Sequence, residues 1–221
     1  MTEQVPVRHR LRFVFAKKQA VKYIGHLDLM LAWERSLRRA KIPLVYSQGF
    51  NPRPKMQVAS SLPLGTTGTA ERLDIIVDET LNLDEITAQI RQALPVGLGL
   101  ISIKEVALKS PALQQLLRQA DYTINLETKL HADDISYQIE RIMAQDELLQ
   151  TRRRRKREEQ VNIRPWLHQL NLISAQNGEA TITMRVSNGQ HGNLRPNEVM
   201  AALGFVENWF TVERNELIFG V

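Results

Sequence analysis

The sequence predicts an α+β protein made of two tandem ferredoxin-like halves, each with the element order βαββαβ, an antiparallel sheet and helices on one face. Alternating apolar residues mark strands, and apolar residues at helical spacing mark helices, in that order in the first half and again in the second. With 221 residues and 43% hydrophobic composition, the chain can bury a real core. We expect a first domain at 1–109, a connector helix at 110–120 and a second domain at 121–221.

The first half supplies the clearer pattern. Residues 8–15 alternate as a half-buried strand, and residues 26–40 place Met30, Trp33, Leu37 and Ala40 on one helical stripe. The further elements predicted there are short strands at 44–47 and 56–60, a strand at 73–77, a helix at 83–94 and a strand at 98–108.

The second half follows the same order with less regular patterns. Its predicted elements are a short helix at 111–119, strands at 121–127, 179–186 and 210–219, and helices at 133–143 and 196–203. The duplication is inferred from element order alone, because the two halves share no convincing identity.

The composition excludes several kinds of chemistry. The chain has no cysteine, which rules out thiolate catalysis, disulfides and cysteine-held clusters, and its five histidines show no paired ligand spacing. We therefore expect no metal and no cofactor. No apolar run is long enough to span a bilayer, and the N-terminus has no signal-peptide pattern, so we expect a cytoplasmic protein without membrane contact.

Positive charge is concentrated in two segments. Residues 1–55 hold twelve Lys and Arg against three Asp and Glu, and residues 152–157 are six consecutive cations. The remaining 160 residues hold eleven Lys and Arg against twenty-one Asp and Glu. Clustered cations on an acidic body favour a polyanionic partner, of which RNA is the most common.

The first basic segment interleaves cations with aromatic side chains. A loop rich in Gly, Pro and Asn, GFNPRPK, lies at its end and suits single-stranded or looped RNA, whose bases stack on flat side chains. Equally, Tyr46 and Phe50 can be core residues. The RNA-binding residues predicted here are Lys17, Lys18, Lys22, His26, Arg35, Arg39, Tyr46, Phe50, Asn51, Arg53 and Lys55.

The second basic segment must protrude from the core. Neighbouring residues of a strand point to opposite faces, so six successive cations require a hairpin arm, a loop or a disordered tip. We favour phosphate contact over a merely solvated surface for Arg152, Arg153, Arg154, Arg155, Lys156 and Arg157. Arg164 and Arg195 each precede a proline and are further candidates, with structural ion pairs as the alternative.

One long motif resembles a known family. The run GHLDLMLAWERSLRRAKIPLVYSQGFNPRPKMQVASSLPLGTTGTAERLDI is similar to the defining motif of the radical-SAM-associated proteins, a bacterial domain of uncharacterised function. The resemblance continues in RRKREEQVNIRP and LRPNEVM. Arg53 is a departure, because the family often has His there, which puts in doubt any role that needs an imidazole at that position.

The resemblance implies an accessory role. Family members occur beside, or fused to, a B12-binding radical SAM enzyme, which implies that the partner holds the cluster and cobalamin while this chain holds RNA, either tRNA or rRNA. The family's element order is also similar to that of the RAMP proteins that bind and process CRISPR RNA. On that likeness, His26 is a candidate general base of a metal-independent endoribonuclease, or it belongs to the start of a helix. A protein-only adaptor for the enzyme is the remaining alternative.

Overall fold

The computed structural model of the protein describes residues 7–154 and 157–220, with the backbone alone at residues 154 and 157. Within these ranges the fold is α+β with five α-helices, which confirms the predicted class. The chain divides into two compact units at the boundary between Leu116 and Leu117. Each unit contains its own strands and helices.

The first unit has the predicted element order of strand, helix, strand, strand, helix, strand. Its elements are β1 (His9–Lys17), α1 (His26–Arg39), β2 (Met56–Val58), β3 (Thr66–Val77), α2 (Leu83–Ala93), β4 (Leu98–Val106) and the single turn α3 (Leu113–Leu116). The strands pair antiparallel in the order β4-β1-β3, and β2 pairs with β3.

The alternation of β1 determines which side of this sheet is covered. Leu11, Phe13 and Phe15 are buried, and Trp33 of α1 packs against both phenylalanines with ring centroids 5.8 Å and 5.1 Å away. Burying each of these side chains contributes roughly 2–3 kcal/mol. The helices therefore lie on the Leu11 face, and Arg10 and Arg12 face the other way.

Residues 44–47 do not form the predicted strand. They make two isolated bridges instead, Leu44 with Val77 and Tyr46 with Pro54. Pro54 has no N–H to donate to a ladder, so regular pairing cannot continue there. The strand predicted at 73–77 is longer than expected, since β3 starts at Thr66.

The second unit contains more strands than the sequence predicts. Its elements are β5 (Leu117–Glu127), α4 (Ala132–Met143), β6 (Leu149–Arg154), β7 (Arg157–Asn162), β8 (Leu167–Gln176), β9 (Glu179–Gly189), β10 (Gly192–Asn193), α5 (Pro196–Ala202) and β11 (Phe210–Phe219). β11, β5, β9 and β8 pair antiparallel in that order, β10 pairs with β9, and β6 and β7 form a separate two-stranded sheet.

The predicted connector helix is much shorter than expected. Only α3 is helical, and the chain from Leu117 onward belongs to β5. Leu117 and Ala120 are buried, and they pair with Phe219 and Leu217 of β11. Sheet pairing and burial thus override the local helical spacing at 117–119.

Candidate nucleic-acid interface

The first basic segment is divided between the two ends of β1. Lys17 pairs with Gly68 of β3, whereas Arg10 pairs with Ile76. Seven residues of strand separate these positions, or about 23 Å. The loop that precedes β2 is bonded to Ile76, because Val45 N–H donates to Ile76 O and Ile76 N–H donates to Lys55 O. The cations at 17–26 and those at 53–55 therefore belong to opposite ends of the sheet.

Lys17 is not a surface residue. Its side chain is 1% exposed, and Nζ donates to the carbonyl oxygens of Lys22, Ile24 and Thr66. An ammonium with three carbonyl acceptors holds together the loop that follows β1. We therefore correct the expectation for Lys17 and leave it out of the interface.

Lys18, Lys22 and His26 lie at the end of the sheet where β1 finishes. Lys18 and His26 are exposed, and the Lys22 ammonium lies 5.0 Å from the centroid of the Tyr23 ring. Tyr23 is 73% exposed. This end thus presents a cation, an imidazole and an aromatic face to solvent.

His26 is the first residue of α1. Gly25 is the N-cap, with extended backbone, and Asp28 lies in the first turn. No hydrogen bond to the His26 ring is found within the described part of the chain. The position fits both a helix-start residue and an accessible imidazole.

The loop before β2 has a defined shape. Ser47 N–H donates to Arg53 O at 2.8 Å, Arg53 N–H donates to Ser47 Oγ at 3.0 Å, and Lys55 N–H donates to Val45 O at 2.8 Å. Gly49 has φ +127°, a conformation that side-chain-bearing residues rarely adopt. These bonds close the base of the loop.

The two aromatic residues of this loop have different environments. Phe50 is fully exposed, with a relative accessibility of 106%, whereas Tyr46 is partly buried against the core. Asn51, Arg53 and Lys55 are exposed beside Phe50 in sequence. The core interpretation therefore holds for Tyr46, and Phe50 is the side chain that is free to stack.

Arg35 and Arg39 belong to the last part of α1. Both are exposed, and the Arg39 guanidinium donates to Ala93 O of α2 at 2.9 Å. Arg39 therefore links the two helices, while Arg35 remains a solvent-facing cation.

The second basic segment forms a hairpin arm, one of the three forms that the sequence allows. β6 and β7 pair from Leu149 with Asn162 to Arg154 with Arg157. Arg153 is exposed and lies opposite Glu158. Arg155 and Lys156 lie outside the described residues, as do the side chains of Arg154 and Arg157.

Arg152 is held against the body of the second unit. Its guanidinium donates to both carboxylate oxygens of Glu198, at 2.6 Å and 2.8 Å, and to Asn193 O at 2.8 Å. It also lies 4.9 Å from the centroid of the Trp166 ring. Arg152 is thus engaged at the base of the arm by residues of its own unit, and neither the phosphate contact nor the solvated surface considered from the sequence describes it.

Arg164 also has structural partners. Its guanidinium donates to the carbonyl oxygens of Met143, Gln145 and Leu167, at 2.8–3.1 Å, and so binds carbonyls at the end of α4. Arg195, in contrast, has an exposed side chain and is the N-cap of α5. Of Arg164 and Arg195, Arg195 is the one available to a ligand.

The described residues carry no group of three or more His, Asp or Glu side chains that could hold a metal ion. Nor does any helix within 7–154 and 157–220 have the length and apolar character needed to cross a membrane.

Two solved structures share the fold at low sequence identity. This chain is similar to a component of a Cbf5-Nop10-Gar1 complex, at 11% identity and TM-score 0.50, with 93% of this chain covered. It is also similar to a component of an H/ACA RNP bound to a substrate RNA containing 2′-deoxyuridine, at 10% identity and TM-score 0.50, again with 93% covered. The chain spans 49% and 47% of those two chains, about half of their length.

The sequence comparisons place the chain in a family. No curated protein matches it. The family of uncharacterized proteins conserved in bacteria known as DUF2344 matches residues 10–196, which is most of the chain. The protein therefore belongs to the DUF2344 family.

Proposed function

We propose that this protein binds RNA, either tRNA or rRNA, as a cytoplasmic accessory of a separate B12-binding radical SAM enzyme that modifies or processes that RNA. One observation carries the proposal: Phe50 is fully exposed at the tip of a loop whose base is closed by backbone hydrogen bonds. An exposed aromatic ring beside cations on a loop is a suitable surface on which an unpaired base can stack.

The loop chemistry suits a single-stranded or looped RNA. A base stacks on the Phe50 ring, and Arg53 and Lys55 neutralise the phosphates on either side of it. Stacking on an aromatic ring is tolerant of sequence, so this loop supplies affinity more than specificity.

The arm adds a second contact region. The β6–β7 arm is anchored at its base by Arg152, and Arg153 is exposed. Cations on an arm reach the backbone of a folded RNA that a flat surface cannot follow, and each phosphate contact adds salt-dependent affinity.

The fold comparisons support the same class of partner. One of the similar structures is bound to a substrate RNA.

We also infer that each unit is a ferredoxin-like half. The strand orders β4-β1-β3-β2 and β11-β5-β9-β8 are the same when the strands of each unit are numbered along the chain, and the β6–β7 arm is an insertion in the second unit. The resemblance to radical-SAM-associated proteins supports the enzyme partner.

Crosslinking in cells, followed by sequencing of the bound RNA, tests the proposal. We expect enrichment of a defined tRNA or rRNA region with the native protein and loss of that enrichment with Phe50→Ala. Co-purification with and without nuclease separates this case from a protein-only adaptor. An enzyme partner that is retained without any crosslinked RNA would overturn the RNA proposal and favour the adaptor.

The exposed imidazole of His26 favours one second candidate, a metal-independent endoribonuclease. In that case His26 takes the proton of a ribose 2′-hydroxyl, whose oxygen attacks the adjacent phosphorus, and Lys18 or Lys22 stabilises the charge of the phosphorane. The bond from phosphorus to the 5′-oxygen then breaks, and that oxygen takes a proton from water. Incubation of RNA with the protein in EDTA, beside His26→Ala, decides the matter. Cleavage products that are absent, or equal in the variant, end this proposal.

A further inference from the structure

The sheet of the first unit has a second face that carries clustered cations. Cross-strand pairing places Arg12 of β1 directly between Asp74 of β3 and Lys104 of β4, so the three side chains share one face. Arg10 lies two residues away on the same face of β1. Because Leu11 and Phe13 pack on the helices, this face is opposite to the helical layer.

One carboxylate serves two guanidinium groups there. Arg10 Nε donates to Asp74 Oδ2 at 2.8 Å, while Arg12 donates to Oδ1 at 2.8 Å and to Oδ2 at 3.0 Å. Arg10 is buried, and its guanidinium also donates to the carbonyl oxygens of Ser110 and Pro111, so Arg10 holds Asp74 in place and is not itself a ligand contact. Asp74 is 3% exposed. Among the residues that the structure describes, no other carboxylate forms an ion pair with Arg10 or Arg12. The single negative charge of Asp74 therefore compensates only one of the two positive charges of Arg10 and Arg12.

The excess charge borders a cavity. A cavity of about 270 Å³ is lined by Arg10, Asp74, Ile76, Lys55, Met56 and Gln57. Lys55 ends the loop that carries Phe50, so the cavity connects that loop with the cationic face. Counting Arg10, Arg12, Lys55 and Lys104 against Asp74, this region holds four cations and one anion.

Such an arrangement favours a phosphate group over other partners. A guanidinium matches the geometry of phosphate oxygens, and the Asp74 carboxylate neutralises only one of the two guanidiniums beside it. Charges that are partly shielded from water also interact more strongly than charges on an open surface. A neutral or apolar partner would leave the excess positive charge without compensation.

We propose that this face of the first unit, formed by Arg12, Lys55 and Lys104 around the buried Arg10–Asp74 pair, binds the phosphate backbone of the same RNA that stacks on Phe50. The inference rests on the proposed RNA-binding function and assigns it a second contact surface. The backbone runs from the loop, past the cavity, towards Lys104 on the edge strand β4.

The test uses the full chain, a short labelled oligouridine as the probe, and affinity measured over a range of salt concentrations. Lys104→Ser removes one phosphate contact, so the slope of log affinity against log salt should become shallower by about 0.7. Lys129→Ser removes an exposed cation of the second unit, outside the proposed surfaces, and is the matched control with an unchanged slope. A Lys104→Ser slope equal to that of the native protein overturns the inference.

A second variant moves affinity in the opposite direction. Asp74→Asn removes the carboxylate that occupies both guanidiniums, so a correctly folded variant should bind the oligouridine more tightly than the native protein, even though its stability falls. Unchanged or weaker binding by folded Asp74→Asn contradicts the inference. If this variant fails to fold, the Lys104→Ser slope decides alone.

Different results would overturn the second contact surface and the proposed RNA-binding function. If native protein binds the probe and Phe50→Ala weakens it, while Lys104→Ser has no effect, the proposed function stands and the second surface is wrong. If the native protein does not bind the probe at any salt concentration, the proposed function itself falls. An acidic peptide that binds in place of the oligouridine, with the same Lys104 dependence, assigns the face to a protein partner and also overturns the RNA inference.

Discussion

The Arg152 guanidinium binds the Glu198 carboxylate through two hydrogen bonds, from Nε to Oε1 at 2.6 Å and from Nη2 to Oε2 at 2.8 Å. Glu198 also accepts the N–H of Arg195 at the start of α5. The pair therefore connects the base of the β6–β7 arm to a helix.

Glu198→Gln is expected to loosen the arm. The substitution removes the charge but keeps the shape, so the paired interaction weakens and global stability falls by only about 1 kcal/mol. Trypsin should cleave within residues 152–157 faster than in the native protein, because the arm opens more often. Glu207→Gln, at an exposed position, is the control and should leave the stability and the cleavage rate unchanged. Equal cleavage rates in all three proteins would show that the ion pair does not hold the arm.

Phe50→Ala is expected to change binding without changing stability. Since the ring is exposed, the free energy of unfolding should stay within about 0.5 kcal/mol of the native value. Loss of one stacked base should weaken RNA binding by roughly 1–3 kcal/mol. Tyr137→Ala removes an aromatic ring that is 67% exposed in the second unit, and it should leave RNA affinity intact. Equal losses in both variants would argue against a specific role for Phe50.

Adjacent lysines should behave differently. Lys17→Ala leaves three carbonyl oxygens without their donor and should lower the free energy of unfolding by at least about 2 kcal/mol. Lys18→Ala removes an exposed cation and should leave stability unchanged while it weakens RNA binding. Urea unfolding and RNA titration of the two variants check this contrast. Similar stability in both would contradict the assigned role of Lys17.

His168 should contribute to the acid sensitivity of the second unit. Burial, and then the charges of Arg185 and Arg164, lower the pKa of His168 below its ordinary value of 6.5. The unfolded chain therefore binds a proton at His168 more readily than the folded chain does. Stability is lost as the pH falls below about 6.5, until the folded-state pKa is passed.

In the native protein the Ser187 hydroxyl lies 2.8 Å from the His168 Nε2. His168→Gln keeps a side chain that can hydrogen bond to this hydroxyl. Urea midpoints of the variant should decline less between neutral and mildly acidic pH than those of the native protein. Parallel declines would show that this imidazole is not a source of the acid sensitivity.

Strand alternation is the part of the fold that the sequence predicts best. Leu11, Phe13 and Phe15 are all buried, because one buried face imposes a period of two. The strand at 210–219 also has the predicted bounds. β8 was missed. Only Leu167 and Leu170 of that strand are buried, so its apolar pattern is weak.

The sequence predicts the cations of the candidate interface but not which of them are held by structural partners. Charge and spacing identify cations but not their partners, so Arg152 and Arg164 could not be distinguished from solvent-facing arginines. For Lys17 a signal existed, since it continues the inward positions of Phe13 and Phe15 along β1. The pairing of Arg12 with Asp74 joins residues 62 positions apart, and only the strand register reveals it.

The salt dependence of RNA affinity tests the central claim most directly. We expect log affinity for a labelled hairpin RNA to fall linearly with log salt, with a slope of about −3.5 for five phosphate contacts. Replacement of residues 153–157 by serine, with Arg152 kept to preserve the anchor, should make that slope shallower and weaken binding to all RNAs alike. An affinity that does not change with salt, or a serine variant that binds like the native protein, would contradict the account.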